Sequence, residues 1–175
     1  MKYKGEHKLN RTMTKLFRPY GVSKVFIGTQ YEIIWKGKKL EFTIEVRIED
    51  MWFNDFVKQT FGLETNYPFV VSLLHEIGHI HTYEFIPDEI VSFDYDETTR
   101  LTAEINALPA LDIEGRKKLV YEYFGLESEL AATKWAVRYI NKYPEEVEEL
   151  AINVQKALME FYIKNGITED DEDAE

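Results

Sequence analysis

No cysteine occurs among the 175 residues, which excludes a disulfide framework, every thiolate metal site and every cysteine nucleophile. Any metal must therefore be held by His, Asp or Glu. Histidine is itself scarce, with four in the chain, so a cluster of them carries weight. Long apolar runs are missing too: none approaches the roughly 20 residues that a membrane-spanning helix needs. The opening "MKYKGEHKLNRTMTKLF" is basic but lacks the apolar segment of a secretory signal, so a cytoplasmic protein with no membrane partner is expected. What is present, 45% hydrophobic and 14% aromatic residues, is enough for a packed core. The length suits one domain, expected over residues 1–168, with "EDDEDAE" at 169–175 as an acidic, disordered tail.

Charge is uneven. Residues 1–48 carry 11 basic and 4 acidic groups, whereas the rest of the chain is strongly acidic, with 10 basic and 28 acidic groups. The basic segment is expected to pack against acidic helices, and the acidic whole argues against nucleic acid as a partner.

Periodicity divides the chain in two. Leu9, Met13, Leu16 and Phe17 give the opening a helical pattern, and "VSKVFIG" predicts a strand over Val22 to Ile27. Leu40, Phe42, Ile44, Val46 and Ile48 then alternate with polar residues, which together with the turn at Gly37 predicts a hairpin over 31–48. From about residue 50 the period becomes helical. Helices are expected over "DMWFNDFVKQTF", from an Asn66 cap through the 70s, over 97–108, over 113–124, from Glu127 and from Pro144 to Lys164. The expected fold class is α+β: a small antiparallel sheet of about three strands, then a helical bundle.

Three of the four histidines lie in "SLLHEIGHIHTY". Residues four apart share a helix face, so His75 and His79 can ligate one ion, while Glu76, rotated by about 100°, stands at the edge of that face. This is HExxH, in which two histidines hold zinc and the glutamate manages protons. Val70, Val71, Leu73, Leu74, Ile77 and Ile80 imply a buried helix, where such polar groups need a partner, and an ion supplies one. Gly78 in mid-helix predicts close approach of another backbone, expected to be a hairpin strand. His81, two residues beyond His79, faces elsewhere, and His7 reads as a surface residue.

Catalytic zinc requires a third protein ligand. Thr82 and Phe85 occupy the positions that an extended HExxHxxGxxH motif would need, which leaves a carboxylate: Asp94, Asp96, Glu104, Glu122, Glu127 or Glu129. Glu129 begins a helix with small Ala131, Ala132 and Ala136, which permits close packing, and with Trp135 and Val137 expected in the core. "LLHEIGHIH" followed by "ESELAATKWA" resembles the gluzincin metallopeptidases, most closely the small repressor-cleaving enzymes of phage-immunity and radiation-response systems. The resemblance implies a zincin-like fold, Zn2+ held by His75, His79 and Glu129, and Glu76 as general base, with Glu127 the next choice of ligand. The implied function is hydrolysis of a protein or peptide by zinc-activated water. The alternative is an acidic, catalytically silent HExxH-derived domain that regulates a partner by binding it. Thr133 departs from the family, standing where Asp or Asn often orients a ligand histidine. The oxyanion-stabilising residue is open among Tyr83, Tyr95 and Tyr139.

Overall fold

The computed structural model of the chain describes the backbone of residues 4–28, 32–34, 39–43 and 48–166, and the side chains of 4–26 and 51–166. Its elements are α1 (Glu6–Phe17), β1 (Lys24–Gly28), β2 (Glu32–Ile34), β3 (Lys39–Thr43), α2 (Ile48–Phe61), α3 (Pro68–Thr82), α4 (Asp88–Ala107), α5 (Ile113–Phe124), α6 (Glu127–Lys142) and α7 (Pro144–Asn165). Short 3₁₀ turns follow α1 and α3. The chain forms two compact units, residues 47–142 and residues 1–46 with 143–175.

The expected α+β, zincin-like fold with an antiparallel sheet is not what forms. Helices make up most of the described residues, and the three short strands form a mixed sheet in the order β1-β3-β2. β2 pairs antiparallel with β3, but β1 lies parallel to β3, from Lys24 opposite Lys39 to Gly28 opposite Thr43. Alternation along one segment records which face is wet; it does not record which edge the next strand joins or in which direction. Nor does the alternating strand run on to Ile48, where α2 begins. Residues 44–47, and the tail expected at 169–175, lie outside the described residues.

In the unit built from both ends of the chain, Leu9, Met13 and Phe17 of α1 are buried with Val22, Val25 and the stripe Val147, Leu150, Ala151, Val154 and Phe161 of α7. The 3.6-residue period of these positions places them on one face of each helix. Basic α1 meets acidic α7 through Lys8 and Glu160 at 3.2 Å. The Asn165 amide accepts from Lys4 N–H at 2.8 Å and donates to its carbonyl at 3.0 Å, closing the unit at the helix end.

In the unit of residues 47–142, α3 is the central helix. Val70, Val71, Leu73, Leu74 and Ile77 are buried with Trp52, Phe53, Phe56 and Val57 of α2 and Ala132, Ala136, Val137 and Ile140 of α6. Pro68 occupies the first turn of α3, and Tyr67, not Asn66, is the capping residue, without a side-chain cap. Gly78 explains the closeness of α3 and α6. A Cβ at this position would lie 2.4 Å from the Ala132 carbonyl oxygen and 2.9 Å from its Cα. The approaching backbone is thus a helix rather than the expected strand. α4 begins at Asp88, ahead of the predicted 97, with Asp88 and Glu89 in its first turn favouring the helix N-terminus.

Candidate metal centre

Two helices bring the site together. His75 and His79, one turn apart on α3, have ring centroids 4.8 Å apart, and Glu129 enters from the first turns of α6. Glu129 Oε2 lies 3.1 Å from His75 Nε2 and 3.6 Å from His79 Nε2. One ligand atom from each of the three residues lies within 4.8 Å of the other two. Ligands about 2.0–2.1 Å from a tetrahedral ion stand about 3.3 Å from one another, so these side chains fit a metal ion with little rearrangement. His75 and Glu129 are buried, and His79 is partly exposed, which leaves the group open on one side.

The surroundings hold the ligands in place. Phe53 of α2 sets its ring edge-on to His75 at 4.9 Å, and Phe124 of α5 packs on Phe53 at 4.7 Å. The other nitrogen of His75, Nδ1, lies 3.0 Å from Thr133 Oγ1, and that hydroxyl lies 2.9 Å from the Glu129 carbonyl oxygen. Burial disfavours a charged His79, but the Glu129 carboxylate 3.6 Å away and the charge of Glu76 outweigh it, raising the pKa to about 9. Burial likewise works against ionised Glu129, yet the hydrogen bond with His75 and the nearby charge of His79 hold its carboxyl well below the usual carboxylate range. Three groups that bind positive charge jointly are thus concentrated in one apolar pocket.

Other candidate ligands lie elsewhere. Glu127 is exposed, as are Asp96, Glu104 and Glu122, and Glu104 pairs with Arg100. Asp94 is buried, but it accepts the Ser128 N–H at 2.7 Å, capping the start of α6 from another helix. His81 is exposed and stacks on Trp135 at 4.6 Å, and Tyr139 also stacks on Trp135, at 5.1 Å. Trp135 is accordingly half-buried in a surface stack instead of anchoring the core. His7 is exposed on α1.

One residue was missed by sequence reasoning. Tyr123, at the end of α5, lies near Glu129, and burial with the charges of Glu129 and Glu76 raises its hydroxyl pKa well above the ordinary value. It remains a protonated donor beside the carboxylates. Tyr83 and Tyr95, by contrast, are exposed. The available signal was its place two residues before Gly125, where the chain turns from α5 into α6.

No protein-family model, no curated protein and no solved structure matches this chain. Among the described residues, no helix is long and apolar enough to cross a membrane.

Proposed function

We propose that the chain is a zinc-dependent peptidase, with His75, His79 and Glu129 holding the ion and Glu76 acting as general base. The observation that carries this reading is the convergence of two imidazoles on one carboxylate oxygen, at 3.1 and 3.6 Å and so close to a tetrahedral edge, with Glu76 one residue from His75 on the same helix. The motif resemblance to gluzincins supports it and points to a protein or peptide as substrate.

When bound, zinc supplies a Lewis acid that polarises the scissile carbonyl and lowers the pKa of water. Glu76, half-buried at the edge of the ligand face, takes the proton of the attacking water and returns it to the leaving amine. Tyr123, held protonated beside Glu129, would donate its hydroxyl hydrogen to the oxygen on which negative charge develops. Phe53 and Phe124 keep the far side of His75 dry, which strengthens these electrostatic interactions. The rival reading, an acidic binding domain without catalysis, gives Glu76 no task.

The test is metal content and cleavage of a peptide library by wild type and Glu76→Gln. Both proteins should hold one zinc, with cleavage at least about 100-fold slower in the variant. If both hold zinc and neither cleaves, the silent binding domain is the better description.

A further inference from the structure

Thr133 is completely buried, and its hydroxyl has one hydrogen and two neighbours that could take it. The Glu129 carbonyl oxygen is 2.9 Å away and His75 Nδ1 is 3.0 Å away. The Asp or Asn oxygen that often stands at this position in gluzincins can only accept from a histidine. A hydroxyl can accept or donate.

The other side of the same imidazole imposes a choice. His75 Nε2 and Glu129 Oε2 are 3.1 Å apart, and two lone pairs at that separation repel unless something positive lies between them. A hydrogen on Nε2 satisfies the pair, and so does a metal ion that both atoms ligate. With hydrogen on Nε2, neutral His75 has a bare Nδ1, which needs a donor. With a metal on Nε2, Nδ1 carries the hydrogen and needs an acceptor. Thr133 meets both needs by rotating one bond. Toward Nδ1 it is a donor; turned to the Glu129 carbonyl, it accepts from Nδ1–H. No water competes at a fully buried hydroxyl, so neither state leaves a buried polar atom unpaired.

We infer that Thr133 is a positioning residue that works as a two-way hydrogen-bond relay, allowing neutral His75 to exchange its Nε2–H tautomer for the Nδ1–H tautomer when metal binds. Nε2 releases a proton to solvent and Nδ1 takes one up, so the charge of His75 does not change. Glu129 then acts on His75 twice, by its carboxylate at Nε2 and by its backbone carbonyl through Thr133 at Nδ1. This rests on the metal-centre reading above but not on peptidase activity.

The experiment is long-range 1H–15N correlation spectroscopy of His75 in the full chain at pH 8, metal-free and with one equivalent of zinc, alongside zinc affinities of Thr133→Val and Thr133→Ser. Hydrogen should be on Nε2 without metal and on Nδ1 with it. Zinc should bind about 10–100-fold more weakly to the valine variant and within a few-fold of wild type to the serine variant. The same hydrogen-bearing nitrogen in both states, or both nitrogens protonated without metal, overturns the relay, as does valine binding zinc like wild type. If the valine variant fails to fold, the wild-type spectra and the serine variant decide. A chain that takes up no zinc removes the metal centre and the relay together. A tautomer exchange without cleavage of any peptide removes only the peptidase.

Discussion

Gly78→Ala tests how the two helices of the candidate metal centre meet. On an exposed helix the change would stabilise by about 1 kcal/mol, because alanine is the better helix former. Here the added methyl would lie 2.4, 2.9 and 3.0 Å from the carbonyl oxygen, Cα and carbonyl carbon of Ala132. All three atoms are backbone, so no rotamer change relieves the contact. The helices must separate by about 0.6–1 Å to restore ordinary contact, and with every contact on rigid backbone the cost falls in the upper part of the overpacking range, about 2–3 kcal/mol. With the helix gain subtracted, we expect a net loss of about 1–2 kcal/mol, a fall in Tm of about 2–8 °C for a chain of this size. The same movement would open the 3.1 Å His75–Glu129 and 3.0 Å His75–Thr133 approaches. Metal ligands tolerate displacements of about 0.2 Å, so zinc affinity should fall by at least about tenfold. Thermal melts of metal-free protein and zinc titration against a competing chelator measure the two effects. A variant that melts at or above wild type and binds zinc equally well would refute the close contact of α3 and α6.

Four further outcomes are expected. Zinc must displace a proton from His79, whose pKa is raised to about 9, so affinity should climb about tenfold per pH unit from neutrality and level off near that value; chelator competition across pH would expose a flat profile if this is wrong. For metal-free protein, His79 with its raised pKa contributes stability that is complete below its ordinary 6.5 and is lost as pH rises through about 9, whereas Glu129, with its lowered pKa, contributes stability that is lost as pH falls below its ordinary 4.5; denaturant melts should therefore show this contribution largest between those two values. Asp94→Ala removes the cap on Ser128 N–H and should destabilise by about 1–3 kcal/mol in urea unfolding, with an unchanged midpoint counting against the cap. Glu129→Ala should lose zinc while Glu127→Ala keeps it, and the reverse result would move the third ligand to Glu127.

The parts that were legible in the sequence are local ones. His75 and His79 share a face because an α-helix repeats every 3.6 residues, wherever the helix is placed. The stripe on α7 and its end at Asn165 and Gly166 follow the same kind of rule, with Gly166 adopting a φ of 64° that suits glycine. The antiparallel pairing of β2 with β3 follows from the hairpin, but the pairing of β1 was missed for the opposite reason. β1 joins the free edge of β3, a choice made by the packing of distant segments, and no period in "VSKVFIG" records it. Trp135 was misplaced because an apolar residue at helical spacing can cover the surface as well as fill a core, and here a histidine ring covers it.

By itself, then, the sequence determined that His75 and His79 would share a face of one helix with Glu76 at its edge, and that thiolate chemistry was impossible. It narrowed the third ligand to a handful of acids and favoured Glu129 through its small alanine neighbours, but it could not measure the approach of any of them to the histidines. Only the tertiary structure placed Glu129 within 3.1 Å of His75, left Glu127 exposed and turned Asp94 into a cap. It also decided that Gly78 faces a helix and that Thr133 and Tyr123 surround the ligands. The division has a physical cause: helix periodicity is set by bonds between neighbours along the chain, whereas ligand distances are set by how closely two helices pack.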